Sequence, residues 1–392
     1  MSFPNVHIDN YVNDISKPAI DILSKIYTIA NSLIGINRIT VAFKVKGLYM
    51  VIAFLCSFLI NIIITFLMLS SLLETVSSFV VFNIAQYLVC SVVAVTSRGN
   101  LQKFYNELYA FDKDIKTKLP TNFKAKINFT LAILTFSFIC IQPMLIYILR
   151  PVSNTNLVMV TIDLSNMLEL FYYGHLFILL ETRLKSIRVI LVTCFPHENQ
   201  IYCLRESEFI NFDDEAFCKL ITRNPDVEIK KLSLLYYKSI KAYDFLYAAI
   251  KWQMLFILAT SFVSLLKLFD LVALQITNNE FILKNAIFSI GLTVIRLVPL
   301  MVPSVFGERV HNEVSLLKTA LNSRINNVFD TTSCRFARLF IDLLEVRSLT
   351  FSVFRMIVIN TTFPSKFIGL IVTYVVIWLQ FQKVIDFAKL KI

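Results

Sequence analysis

The chain has 392 residues, 56% of them hydrophobic and 13% aromatic, with only 17% charged and 7 glycines. Ordinary soluble domains carry about a quarter charged residues, so this balance excludes a soluble globular fold and describes a polytopic membrane protein. A formal net charge of +11 hints at nucleic acid, but the placement of the basic residues described below removes that reading.

Runs near 20 residues with few charges can cross the hydrocarbon core as helices. Seven are predicted, at about 48–70, 76–96, 127–149, 157–180, 252–275, 282–305 and 366–385. The expected fold class is all-α, divided into an N-terminal segment 1–47, helices and connections over 48–306, anchor helices over 307–364, and a last helix with a short tail over 365–392. The first 47 residues lack a basic start running into a short apolar core, so no cleavable signal peptide is expected and insertion falls to the first span.

Basic residues set the orientation. Of 38 Lys and Arg, 30 fall in the N-terminal segment and the even-to-odd connections, whereas Arg150, Lys383, Lys389 and Lys391 lie on the opposite side. Basic loops stay cytoplasmic, so the N-terminus is expected inside and the C-terminus outside. The Asn-x-Thr matches at Asn128 and Asn360 then fall where glycosylation does not reach. The same orientation weighs against a G-protein-coupled receptor. The third span also lacks an acidic-Arg-aromatic end, and the seventh lacks Asn-Pro-x-x-Tyr. A small-molecule transporter is the other alternative, but seven spans show no repeated halves.

The cytoplasmic connections are patterned for helix. Leu101, Phe104, Tyr105, Leu108, Phe111 and Ile115 recur at helical spacing, as do Leu232, Leu235, Tyr236, Ile240, Tyr243, Leu246, Tyr247 and Ile250. Val310, Val314, Leu317, Leu321, Ile325 and Val328 form a heptad-like seam. Phe336, Leu339, Phe340, Leu343 and Leu344 add a further patch. One narrow seam per helix suits helix-on-helix assembly, either within the chain or between subunits. Residues 194–226, with Pro196, Pro225 and an acidic run, are expected to be a mobile loop. The seven cysteines give no disulfide framework. Cys194, His197, Cys203 and Cys218 lack the paired spacing of a structural zinc site, so no metal or other cofactor is expected. No phosphate loop, nucleophile elbow or His-Glu-x-x-His sequence supports an enzyme.

Intramembrane polar groups mark candidate sites because they are costly in lipid. Asp163, Asn166, Glu169 and Tyr173 share an arc of about 120° on the fourth span. Gln86, Tyr87, Gln142, Tyr147, Lys267, Asp270 and Arg296 lie at similar depth. Lys267 and Asp270, three residues apart, are placed to neutralise each other. Arg296 needs an acidic partner, and either Asp163 or Glu169 can serve. The ligand-pocket candidates are therefore Gln86, Tyr87, Gln142, Tyr147, Asp163, Asn166, Glu169, Tyr173, Asp270 and Arg296.

The last span carries Thr373-Tyr374-Val375-Val376-Ile377-Trp378-Leu379-Gln380-Phe381. Thr373, Ile377, Gln380 and Val384 form one stripe, and Gln380 should face protein or water rather than acyl chains. Pro364 is expected to break the helix just ahead of it, leaving a cytoplasmic piece that ends near Thr362. The nine residues, with the flank from Phe351-Ser-Val-Phe354 to Phe367-Ile-Gly369, resemble the signature of the insect gustatory receptors. The resemblance implies a seven-helix chemoreceptor related to the insect odorant receptors, with an intracellular helical platform and a short helix before the last one. It implies a homo- or heterotetrameric ligand-gated cation channel in the plasma membrane of gustatory dendrites, opened by a small-molecule tastant. Carried over from the family, Ile377, Gln380 and Phe381 line and gate the pore, while Thr373 and Tyr374 hold the helix to its neighbours through their hydroxyls. Sweet-sensing members tend to have an acidic residue after Thr-Tyr. Val375 stands there instead, which favours a bitter-type or other non-sweet ligand.

Overall fold

The structure is a computed structural model that describes residues 22–33, 59, 61–67, 70, 78–115, 130–141, 144, 154–194, 225–277, 283–327 and 331–389. It is helical almost throughout. In chain order the helices are α1 (Ile22–Leu33), α2 (61–67), α3 (Ser78–Thr96), α4 (Arg98–Ile115), α5 (Thr130–Ile141), α6 (Asn154–Cys194), α7 (Pro225–Thr277), α8 (Leu283–Asn327), α9 (Thr331–Val346) and α10 (Phe363–Lys389). Strands β1 (Ser352–Val353) and β2 (Ile357–Val358) form an antiparallel hairpin between α9 and α10. The expected mobile loop lies outside the described residues, apart from its ends.

Length organises the molecule. Helices α6, α7 and α8 contain 41, 53 and 45 residues, so at 1.5 Å per residue they span about 60 to 80 Å. That is roughly twice the thickness of a hydrocarbon core, so each has a long stretch outside lipid. Among the described residues, length and hydropathy alone pick out Ile229–Phe269 within α7 and Phe363–Phe381 within α10 as membrane-crossing segments. The run Val81–Thr96 passes the same test together with α4, to which it is joined at a 49° bend.

Contacts fix the relative directions. Asp163 meets Arg296, Glu181 meets Arg309 and Arg188 meets Glu313, so numbers rise together along α6 and α8 and the two run parallel. Tyr173 meets Gln253 while Met167 and Leu170 share a cavity with Thr260 and Ser264, which makes α7 antiparallel to α6. Phe262 touches Phe367 and Tyr374, and the same stretch of α7 reaches Trp378, so α10 runs parallel to α7.

The sequence makes room for a close approach of α6 and α8 at Gly174. A Cβ on Gly174 would overlap Val302 Cγ1 and lie 3.3 Å from Phe306 Cδ2. Tyr172, Tyr173, Leu176, Phe177 and Leu180 are fully buried around it. The amphipathic seams predicted from sequence are real, but they close within one chain. Leu101, Phe104, Leu108, Phe111 and Ile115 bury against α7, and Val310, Val314, Leu317 and Leu321 are equally covered. These described parts of the seams are buried inside the chain and so are closed to a second copy, while Val328 lies outside the described residues. On α9, Ala337, Phe340 and Leu344 face inward, whereas Leu339 and Phe336 stay exposed.

Two features differ from expectation. The segment before α10 is not a short helix: residues 351–359 form the hairpin, closed by Met356 N donating to Val353 O at 3.1 Å and Ile359 N to Phe351 O at 2.9 Å. Pro364 does not break a helix; it occupies the first turn of α10, where a missing N–H costs nothing. Helix α1 also packs where sequence gave no hint. Ser24 Oγ lies 2.7 Å from His175 Nε2, and Tyr27 Oη lies 2.7 Å from Thr135 Oγ1, all buried.

Gly174→Ala should destabilise the protein by about 1–3 kcal/mol through overpacking. The readout is a lower apparent Tm in fluorescence-detected size exclusion, and adding Val302→Ala should restore it. An unchanged Tm for Gly174→Ala alone would refute the close crossing.

Candidate functional site

Helix α10 is anchored along one side only. Phe363, Phe367 and Ile371 are buried at i, i+4 spacing, and Val375 continues the line partly packed. At about 100° per residue, Gln380 and Thr373 fall within about 20° of the point opposite Ile371, and Ile377 within about 60°. These three are exposed in the single chain, Ile377 to 42%, and Phe381 sits on the flank at 62%. Tyr374 packs its ring edge-on against Phe262 at 5.7 Å. The Thr373 hydroxyl donates to Gly369 O at 2.9 Å within its own helix. A threonine hydroxyl reaches the carbonyl four residues back more readily than it spans to another helix.

The base of α10 is held by α8 and the hairpin. Thr362 caps the helix, its carbonyl accepting from Lys366 N at 3.2 Å and Ser365 Oγ at 2.8 Å. Glu308 on α8 accepts the Thr361 N–H, and hydrogen bonding from Thr361 holds this exposed carboxyl below its ordinary pKa. An acidic group there also complements the positive end of the helix dipole. The hairpin turn places Phe354 and Arg355 at φ of 52° and 59°, a left-handed conformation that ordinarily selects Asn-Gly. Trp252 stacks edge-on against Phe354 at 4.5 Å, and Tyr243 Oη donates to Thr350 O at 2.8 Å, so α7 braces the strained turn.

A polar interior lies farther along α6, α7 and α8. Arg296 Nη2 donates to Asp163 Oδ2 at 2.8 Å, with each side chain 13% exposed. Of the two possible partners, the chain uses Asp163. Gln86 and Asn166 exchange amide hydrogen bonds between α3 and α6. Tyr173 Oη donates to Gln253 Oε1 at 2.7 Å, and Gln253 Nε2 donates to Cys90 O at 3.0 Å, joining α6, α7 and α3. Tyr87 Oη donates to Asn61 Oδ1 at 3.2 Å, and Glu169 is 1% exposed.

Asp163, Asn166, Met167, Leu170, Thr260, Ser261, Ser264, Arg296 and Pro299 surround a cavity of about 20 Å³, which holds about one water. Three sequence candidates line it, namely Asp163, Asn166 and Arg296. Gln86 touches it through Asn166, while Tyr87, Glu169 and Tyr173 do not line it. Gln142, Tyr147 and the side chain of Asp270 lie outside the described residues. Sequence reading missed Gln253, Thr260, Ser261 and Ser264. The spacing of the last three on one face of an apolar helix was the available signal. Pro299 lines this cavity and Pro303 follows it about one turn on inside α8, and each removes an i→i−4 hydrogen bond.

The sequence matches the family model described as 7tm Chemosensory receptor over residues 79–385. No protein of curated function matches it. Among solved structures, the insect olfactory receptor OR5 from Machilis hrabei in complex with eugenol superposes with a TM-score of 0.62 at 13% identity, covering 91% of this chain and 98% of that one. A second structure of that receptor gives a TM-score of 0.60 at 13% identity, over 92% of this chain and 100% of that one. At this identity the likeness is one of fold, whereas the family match spans most of the sequence, from the start of α3 almost to the end of α10. The chain belongs to the 7tm chemosensory receptor family.

Proposed function

We propose that this chemosensory receptor is a taste-type, ligand-gated, non-selective cation channel. It has seven membrane spans, a cytoplasmic N-terminus, and four copies of α10 around a central pore. The observation that carries the reading is the one-sided packing of α10. Its buried line ends on Ile371, and its amide, threonine and isoleucine look away from the rest of the chain. An amide facing lipid is costly, so that face calls for partner copies and water. Four apolar Ile377 and Phe381 side chains can close such a pore by dewetting, and a ring of Gln380 amides can hold a partly hydrated cation.

Gating follows from the way α8 is built. The cavity beside Asp163 and Arg296 has room for little more than water, so a tastant must part α6, α7 and α8 to enter. Pro299 and Pro303 weaken the helix ladder at that level. Displacement there reaches Glu308, which holds Thr361 at the base of α10. A ligand that fits the widened cavity better than the narrow one shifts the population toward the open pore. Eugenol, the compound named with the fold relative, is a small molecule, in keeping with a small-molecule ligand here. Val375 after Thr-Tyr supports a bitter-type or other non-sweet tastant, with gustatory dendrites as the site of action.

Whole-cell recordings with G-protein signalling blocked, screened against sugars and bitter compounds, should show a ligand-evoked cation current. Gln380→Ala should alter its conductance or its permeability ratio, and a response abolished by the block would overturn the channel reading. In intact cells an N-terminal tag should be hidden from antibody and a C-terminal tag reachable; the opposite pattern sinks the orientation. Asp163→Asn alone should cost about 3–5 kcal/mol by stranding buried Arg296, seen as lost surface protein. Pairing it with Arg296→Gln should recover much of that loss. Ser264→Ala should leave surface levels intact and shift the half-maximal ligand concentration by roughly fivefold, the worth of one net hydrogen bond.

A further inference from the structure

Arg296 is incompletely paired. Its Nη2 donates to Asp163 Oδ2 at 2.8 Å, but its Nε is buried with no hydrogen-bond partner. An N–H held away from both water and acceptors carries its full desolvation penalty, and more so on a charged guanidinium. The same side chain lines the cavity between α6, α7 and α8, beside Asn166, Thr260, Ser261 and Ser264. Asn166 is engaged with Gln86, and Thr260 turns its hydroxyl to its own helix, donating to Phe256 O at 2.8 Å. Ser264, buried on the α7 wall, brings a hydroxyl to the lining. At about 20 Å³ the space suits a water-sized group, so an organic molecule enters only as the three helices part.

We infer that the cavity selects neutral molecules bearing an acceptor oxygen, such as a ketone, lactone or amide carbonyl, and that this oxygen accepts from Arg296 Nε. The inference rests on the cavity being the ligand site of the proposed channel. Helices that part to admit such a molecule expose Nε to its oxygen, so the parted arrangement gains a charge-assisted bond that the closed one lacks. That difference in affinity shifts the population. An apolar molecule of the same shape fills the space but leaves the donor unpaired. Charged molecules fail for a different reason. Asp163 already neutralises Arg296, with each side chain 13% exposed, so a carboxylate or an ammonium brings uncompensated charge into a nearly dry site. One oxygen and no net charge define the class, which excludes cationic amines.

The test uses matched probes in which a carbonyl oxygen is replaced by a CH2 of similar shape. Full-length protein in phosphatidylcholine nanodiscs is titrated with cyclohexanone against methylenecyclohexane, and with acetophenone against α-methylstyrene. Thermal stabilisation is followed against free aqueous concentration, which removes differences in partition into lipid. Each ketone should half-saturate at a concentration at least about tenfold below its alkene, the worth of one hydrogen bond to a charged donor. Cyclohexylammonium and cyclohexanecarboxylate should give no shift over the same range. The double variant Asp163→Asn, Arg296→Gln removes the guanidinium and leaves two amides able to pair, and there the ketone preference should be lost. The comparison on unsubstituted protein stands even where that variant does not fold. Equal stabilisation by ketone and alkene, saturation by a charged probe at ketone concentrations, silence from both ketones, or a preference that survives the double variant would each overturn the inference. Binding is read without current, so a response carried by G proteins would sink the channel reading and leave a measured ketone preference standing. A current opened equally by ketone and alkene would sink only the inference.

Discussion

Everything in this molecule hangs on the parallel contact between α6 and α8. Gly174 lets Val302 come against the α6 backbone, and three ion pairs lie along the same two helices: Asp163–Arg296, Glu181–Arg309 and Arg188–Glu313. Charges buried in pairs contribute little net stability because desolvation offsets their attraction. Their effect is on register. Sliding one helix by a turn separates every pair at once and leaves buried charges without partners, a far larger cost than any single contact. The close backbone approach adds a steric limit, and close-packed interiors tolerate such shifts poorly.

That fixed pair determines how α10 is held. Helix α7 holds the link after α9 with Tyr236 and Tyr243, braces the hairpin turn with Trp252, and meets α10 through Phe262 farther along. Helix α8 adds Glu308 at the base of α10. The last helix is thus secured at its start and along one line, with the remainder exposed. A helix held so lightly can move without unpacking a core, which is what a gate requires. Pro299 lines the polar cavity and Pro303 follows about one turn on, both ahead of Glu308 in α8, so in the proposed channel a bend there is passed toward α10.

Much of this was legible from sequence because it rests on local periodicity. The seams at Leu101–Ile115 and Val310–Leu321 repeat every three or four residues, and burial follows that spacing. Four of the predicted apolar stretches, 157–180, 252–275, 282–305 and 366–385, lie on α6, α7, α8 and α10, and α2, α3 and α5 lie on the first three. Among the described residues two helices, or three with the bent pair, are long and apolar enough to cross a membrane. Arg296 announced its need for an acid through its cost in an apolar helix, and proximity then chose Asp163 over Glu169. What stayed hidden depends on tertiary context. Phe354 and Arg355 are not turn-forming residues, and only Trp252 stacking and the α10 cap make their left-handed backbone tolerable. Helix α1 docks through Ser24, Tyr27, Thr28 and Asn31, a polar stripe that reads as solvent-facing until His175 and Thr135 are seen opposite it.

The seams carry one more consequence. A narrow apolar stripe on each cytoplasmic helix satisfies both assembly within a chain and assembly between chains, and periodicity alone has no means of choosing. The long α6, α7 and α8 decide it, because helices that outlast the bilayer bring their far halves together whether or not a second copy is present. Contacts between copies must then be built from what remains outside: Leu339, Phe336, Val346 and Leu316 around α8 and α9, and the open face of α10. The first group lies on α8 and α9 and the second on α10. In the proposed tetramer, a subunit held to its neighbours at the first can change its contacts at the second without dissociating. The division between a self-contained scaffold and a lightly held final helix is therefore the physical basis on which the proposed channel couples a small internal cavity to a pore.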